Sequence, residues 1–271
     1  MSAVALPRVA SLADRETASH VSGALIVNAD DWGRDRETTD RTLECVVCSS
    51  VSSVSAMVFM KDSARAADLA CQHSVDAGLH LNFTSPFDSS NCPQRLRECQ
   101  QRVTGYLRRH RLAQVIFHPG LRSSFAYLVQ QQIDEYQKLY GAEPARVDGH
   151  HHMHLCANVV FDNLLPSGAI VRRNFSFQTG EKSAVNRRYR RWLDGKLARR
   201  FRLTDFLFNL QPIEDPKRLD RIFSVARTSV VELETHPTIP AEYSFLTKGE
   251  LLRRTGGIPI ATNFALLKDQ N

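Results

Sequence analysis

Short apolar runs that end in polar clusters recur along this chain and alternate with segments of helical period. Ala24 to Asp31 is apolar until it stops at Asp30-Asp31, as a buried parallel strand does. Arg36 to Cys48 then sets Thr39, Leu43, Val46 and Val47 along one side of a helix. Val51 to Phe59 predicts a second strand, and Asp62 to Gln72 a second helix opened by an Asp-Ser cap. From Val75 to Thr84 the chain alternates, with Gly78, His80, Asn82 and Thr84 on one face and Ala77, Leu79, Leu81 and Phe83 on the other. A Ser-, Asn- and Pro-rich loop, Ser85 to Pro93, reads as a substrate-side insertion. Helical stretches follow at roughly 94–112 and 121–141.

Arg146-Val147 opens a strand that runs through Asp148-Gly-His-His-His-Met-His154. A helix from Asn158 to Leu165 and a strand from Ala169 to Phe175, with Arg172 and Arg173 at its end, come next. Asn186 to Arg202 is helical in pattern, Thr204 to Leu210 strand-like, and Asp215 to Arg227 helical. Ser229 to His236 is a strand that Pro237 stops. A helix around Lys248 to Thr255 and a strand from Ile258 to Phe264 complete the pattern. Strands alternating with helices at least seven times imply an α/β protein with a mostly parallel sheet closed into a barrel. A flat doubly wound sheet is the alternative, and its Gly-rich phosphate loop is missing. Residues 1–22 hold Arg8, Asp14, Arg15 and Glu16 without an apolar core, so they predict a loose extension and not a signal peptide. That leaves 23–271 as a single domain, with no repeat or linker.

The formal charge is +6, yet residues 187–202 alone hold eight Lys or Arg and one Asp. Outside this stretch the chain is close to neutral, which argues against a nucleic-acid-binding surface. The basic helix, with Trp192 and Phe201 in it, predicts either a solvated helix over the barrel wall or a peripheral contact with an anionic membrane. Six cysteines without a disulfide-framework spacing imply reduced thiols and a cytoplasmic protein, with the inner membrane face as its only candidate membrane contact. Cys45-Val-Val-Cys48 lacks a second pair, which argues against a zinc or redox motif. No run approaches the roughly 20 apolar residues of a membrane span. Whether the chain forms a homodimer is left open.

Chemistry enters at the strand ends. Asp148 to His154 holds four of the ten histidines in five positions. If extended, it points Asp148, His150, His152 and His154 one way, a column of imidazoles headed by a carboxylate. Neutral imidazole binds divalent metals and titrates near working pH. The other polar ends are Asp30-Asp31, His80-Leu-Asn82 and Glu232-Leu-Glu234-Thr-His236, and a parallel barrel gathers all such ends on one rim. Two or three His with one Asp suit one divalent ion, Zn²⁺ or the oxygen-loving Mg²⁺ or Mn²⁺. Such an ion acidifies water and polarises a carbonyl, which amide hydrolysis requires. Adjacent Asp30 and Asp31 suggest a division between proton acceptor and ligand, and His236 can protonate a leaving nitrogen.

With these residues in place, the chain resembles the YdjC-like carbohydrate deacetylases, a family that includes deacetylases of chitooligosaccharides and of hopanoid-linked amino sugars. The matching motifs are Asn28-Ala-Asp-Asp-Trp-Gly33, Gly78-Leu-His-Leu-Asn-Phe-Thr84, Asp148-Gly-His-His-His-Met-His154 and Glu232-Leu-Glu-Thr-His-Pro237. The resemblance implies a distorted TIM-like barrel that uses a metal ion to remove the N-acetyl group of an amino sugar, free or lipid-linked. It assigns Asp31, His80 and His150 to the metal, Asp30 to the base and His236 to the leaving amine. Substrate contact or support falls to Asn82, Asp148, His152, His154, Glu234 and Arg172. Leu155-Cys156-Ala157 and Thr238 depart from the family pattern and bear on loop shape. Another barrel metal hydrolase, a cyclic amidohydrolase or a phosphoesterase, is the rival; an amidohydrolase would carry His-x-His on the first strand, where two Asp stand here. A non-catalytic carbohydrate-binding module is the other rival.

Overall fold

The run at Ala24 becomes β1 (Ala24–Trp32), buried along its whole length and paired on both sides within a seven-stranded parallel sheet. In this computed structural model the described residues are 23–110, 112–177 and 180–267, without the side chains of 265 and 266; the loose extension expected over 1–22 lies outside them. The other strands are β2 (Ser53–Ala56), β3 (Asp76–Leu81), β4 (Arg146–Gly149), β5 (Ile170–Val171), β6 (Phe206–Asn209) and β7 (Val230–Thr235), in the spatial order β5-β4-β3-β2-β1-β7-β6. The sheet curls until its edges meet. Val171 donates to the Arg202 carbonyl at 3.0 Å and Ser176 to that of Leu207 at 2.9 Å, so these two backbone hydrogen bonds, with bonds through the side chains of Arg173 and Ser176, replace a ladder where β5 faces β6. The result is a single-domain, distorted TIM-like barrel.

Helices wrap the outside: α1 (Arg36–Val47), α2 (Ser63–Gln72), α3 (Gln94–Leu107), α4 (Arg122–Tyr140), α5 (Ala157–Phe161), α6 (Ala184–Leu197), α7 (Pro216–Val225), α8 (Pro240–Thr247) and α9 (Glu250–Thr255). Asp35 caps α1 by accepting from the Thr38 N–H at 2.8 Å. Asp62 sits at the N-cap of α2 as expected, but its carboxylate takes Arg65 at 2.7 Å and leaves the helix N–H groups alone. The outward residues of the strands, Val27, Leu79, Leu81, Val147, Val231 and Leu233, pack with Leu96, Phe125, Leu128 and Leu219 from the helices into one core. Residues pointing into the barrel are apolar at its floor, where Ile26, Ile170 and Val230 pack with Phe264 and Leu267, and polar above it: Asn28, Asp30, Ser55, His80, Asp148, Glu232 and Glu234 are all buried. Many (β/α) barrels fill this space with branched apolar side chains. Here a charged network takes their place above that floor.

Two expected elements are corrected. The histidine strand stops at Gly149, and His150–Leu155 forms a 3₁₀ turn in which His151 (φ 54°) and His152 (φ 56°) are left-handed. The extended alternation over His150 to His154 therefore does not hold. The strand expected from Ile258 to Phe264 is one bridge between Leu25 and Ile260, followed by a 3₁₀ turn at Phe264–Leu267.

Candidate active site

Two consecutive carboxylates at the end of β1 can serve one site because the strand bulges there. Ala29 pairs with Val54 and Trp32 with Ala56, so β1 spends one extra residue between them, and Asp31 turns left-handed at φ 67°. Asp30 faces the barrel interior and Asp31 the mouth. Asp31 Oδ2 accepts from Arg34 at 2.6 Å. Its Oδ1 lies 2.8 Å from His150 Nδ1 and 3.4 Å from His80 Nε2, yet this buried oxygen has no aligned donor. The three ligand atoms of Asp31, His80 and His150 lie within 4.8 Å of one another.

Each imidazole is held from behind. His80 Nδ1 meets Asp148 Oδ1 at 2.7 Å, and His150 Nε2 meets Ser85 Oγ at 2.9 Å. Asp148 is fixed in turn by Ser55 Oγ at 2.5 Å and Arg146 at 2.8 Å. The guanidinium of Arg146 lies over Gly78, where a Cβ would come within 2.6 Å of its Cζ. Burial opposes charge on His80, but Asp30 and Asp148 push its imidazole up to about 10. Burial would also lift the Asp31 carboxyl, and the His150 and His80 rings instead hold it well below the usual range.

Arg172, at the end of β5, is the hub of the interior. Its Nη1 and Nη2 grip both oxygens of Asp30 at 2.7 Å, its Nε donates to Glu232 at 2.7 Å, and Nη1 also reaches Glu234 at 3.1 Å. Burial works against the Asp30 anion, but the guanidinium outweighs it and keeps Asp30 below its ordinary value. Glu234 goes the other way: burial, reinforced by Asp30, lifts it well above the carboxylate range. Its Oε2 lies 3.3 Å from Nε2 of His152, whose half-buried ring is held well below its usual value. The ligand atoms of Asp30, Glu234 and half-buried His236 also lie within 4.8 Å of one another.

The expected residues therefore gather, but in layers. Asp31, His80, His150 and His236 lie toward the mouth, with Asp30 on the interior side of them. Asp148, Arg172 and Glu234 lie among and beneath them. His154 is fully buried, donates Nε2–H to the Arg172 carbonyl at 2.9 Å and packs against Gly149, where a Cβ would meet its backbone nitrogen at 2.9 Å. Asn82 is buried as well: its Oδ1 accepts from the Thr84 and Ser85 N–H groups and shapes the loop that delivers Ser85. Residues unremarked in the sequence prove central: Ser85 on His150, Arg34 on Asp31, Ser55 and Arg146 on Asp148. The Asp-x-x-Arg spacing from Asp31 to Arg34 is the one signal that could have been read, because a turn brings such a pair together.

The donor set fits a cation. Five buried carboxylates, Asp30, Asp31, Asp148, Glu232 and Glu234, face two buried guanidinia, Arg146 and Arg172, with Arg34 on Asp31, so a cation can take the place of the protons that raised His80 and Glu234 otherwise hold. The unsatisfied Asp31 Oδ1 marks where that charge belongs. Elsewhere, burial pushes the Cys45 thiol up to about 12, which suits an inert helix residue and no redox pair.

Fold and site together define a parallel α/β-barrel protein with a candidate metal centre at the C-terminal ends of its strands. The chain belongs to the YdjC-like protein family, whose model matches residues 24–268. Among characterised relatives it is similar to a carbohydrate deacetylase of Mus musculus, 28% identical over half of this chain, and to a chitooligosaccharide deacetylase of Serratia marcescens, 30% identical over 48% of it. These matches span 44% and 50% of the relatives' own lengths. A crystal structure from Enterococcus faecalis, described as a cellobiose-phosphate cleavage protein, superposes over 90% of this chain and 98% of its own with a TM-score of 0.65 at 18% identity. That likeness establishes the shared barrel.

Proposed function

We propose that the chain is a metal-dependent carbohydrate N-deacetylase, which hydrolyses the acetamide of an N-acetylated amino sugar to acetate and the free amine. The observation that carries this reading is the convergence of Asp31, His80 and His150 around an oxygen that lacks a partner, beside an ionised Asp30 and within reach of His236. The named activities of the two relatives point the same way.

Asp31, His80 and His150 would hold the metal. Two imidazoles and a carboxylate with open positions match catalytic zinc sites better than the all-oxygen shells favoured by Mg²⁺. A divalent ion there supplies Lewis acidity, which polarises the acetamide carbonyl and makes water more acidic. Asp148 accepts the Nδ1–H of His80, which leaves Nε2, on the Asp31 side of the ring, as the nitrogen that would take the metal in place of its proton. Asp30, kept anionic by Arg172, accepts the proton from the attacking water at a carboxylate oxygen. His236 hands a proton to the departing nitrogen. Burial holds its ring below the usual value, so it rests neutral and must first be loaded. Glu234, whose carboxyl burial and Asp30 lift well above the carboxylate range, shares the cluster with His236 and is the proton source nearest to it in this reading.

Acetate release from N-acetylglucosamine and its oligomers, measured before and after chelation and again with Zn²⁺ restored, tests the reading. Release should vanish with the metal and return with it, and Asp30→Asn should lower kcat by about 10²–10⁴. Turnover of cyclic amides or phosphate esters in preference to acetamides would instead favour another barrel hydrolase.

A further inference from the structure

The proposed hydrolysis makes no use of the basic helix α6. Residues 187–202 carry eight Lys or Arg and one Asp, a local charge larger than the +6 of the whole chain. That one carboxylate, Asp194, is turned inward and taken: Oδ1 accepts from the Asn174 backbone N–H at 2.9 Å and Oδ2 from Arg173 at 3.2 Å. On the opposite side, steps of three and four residues bring exposed Val185, Arg188 and Trp192 to one face of α6, and Arg199 continues that line just past its end. Exposed Arg191 and half-buried Lys196 flank the line. Among the described residues, Arg188, Arg191, Lys196 and Arg199 have no carboxylate ion pair. The outward surface is therefore positive without an internal counter-charge.

Apolar side chains stand among these charges. Val185 is 79% exposed and Trp192 52%. Phe161, at the end of α5, is 45% exposed; its ring lies 6.3 Å from that of Trp192, and Lys196 Nζ stands 5.2 Å from its centre. Phe201, which the sequence pattern set beside Trp192, is buried in the core, so Phe161 takes its place on the surface. A face that met only water would gain nothing from three exposed apolar side chains. Indole and phenyl rings between Arg and Lys match the boundary of an anionic bilayer, where rings enter the headgroup layer and cations stay at the lipid charges. We infer that this face of α6 docks the protein on an anionic lipid bilayer. Attachment is peripheral, because no described helix is long and apolar enough to cross a membrane. The inference stands apart from the deacetylase reading, since no residue of this face belongs to the candidate metal centre.

Co-sedimentation of the full chain with vesicles tests this without any measure of turnover. Vesicles of mixed phosphatidylglycerol and phosphatidylcholine should bind it about tenfold or more better than phosphatidylcholine alone, and added salt should shrink the preference. Trp32 is buried, so a blue shift of tryptophan emission on binding reports Trp192 entering the headgroup layer. Arg188→Glu/Arg199→Glu should weaken binding about tenfold or more, and Trp192→Ala should weaken it and remove the shift, each with the circular dichroism of the parent. Lys217→Glu/Arg253→Glu makes the same change of net charge at exposed positions on other helices and should bind as the parent does. Equal binding to both kinds of vesicle, or emission that does not move, overturns the inference. Equal losses in the two double variants overturn it as well, because net charge and not this face would then be responsible. A single-stranded RNA bound as tightly as the anionic vesicles would make the face a general polyanion site and overturn it too.

Discussion

Arg172 decides whether the interior of this barrel can exist. Its side chain is 1% exposed and contacts Asp30, Asp148, Glu232 and Glu234, so its loss leaves several carboxylates without water or partner. Breaking a buried pair costs about 3–5 kcal/mol. Arg172→Met should therefore lower the unfolding free energy by that much or prevent folding, while Arg172→Lys, which keeps the charge and loses the fork, should fall between. A Met variant within about 1 kcal/mol of the parent in urea unfolding would contradict the hub role. Ser85 offers a gentler test. Its hydroxyl orients His150, so Ser85→Ala should weaken Zn²⁺ binding about 10–100-fold by calorimetry with the fold intact. Asp31, His80 and His150 were legible in the sequence because carboxylates and imidazoles at strand ends are rare outside sites. Ser85 was not, because a serine in a Ser-rich loop carries no signal until the loop's path is known.

At the scale of the element, periodicity was legible wherever one face of a strand met the core. Val231 and Leu233 against Glu232 and Glu234 on β7 follow the alternation, and both glutamates reach Arg172 as the pattern requires. The pattern failed after Gly149, where left-handed His151 and His152 leave the strand conformation, and no apolar face constrained it. Close approach also escapes the sequence. Gly78 reads as a strand residue, yet it makes room for Arg146, so Gly78→Ala should cost about 1–3 kcal/mol by forcing that guanidinium off Asp148. Helix α8 supplies another such support: Glu242, fully buried, accepts the backbone N–H of His236 at 2.6 Å. Burial raises its carboxyl from 4.5 to about 7. The raised value means that the folded state holds this proton more tightly than the unfolded chain. Stability from it is complete below the unfolded value and is lost as pH rises through about 7. Glu242→Gln keeps the acceptor and removes the titration, so unfolding free energy should fall less between pH 5 and 8 than in the parent, about the window set by those two values.

For the whole molecule, the barrel keeps an apolar plug only at its floor and gives the rest of its lumen to chemistry. The helices and the outer faces of the strands supply the hydrophobic core, and this division lets the interior carry charge without depending on it for cohesion. The order of strands and helices was legible for that reason, whereas the incomplete closure between β5 and β6 depends on loop carbonyls that no sequence pattern announces. The excess of buried carboxylates then makes a prediction about the molecule as a unit. A cation bound only by the folded state stabilises it by about 3 kcal/mol at a hundredfold excess over Kd. Zn²⁺ added after chelation should raise the melting temperature of the parent as its concentration passes Kd. Asp31→Asn, which removes the oxygen that lacks a partner, should keep the circular dichroism of the parent and lose most of that rise. A melting temperature indifferent to Zn²⁺ in the parent would mean that protons on the interior carboxyls and His80, and not a metal, balance the charge. The barrel would then be a rigid frame with no centre to power hydrolysis.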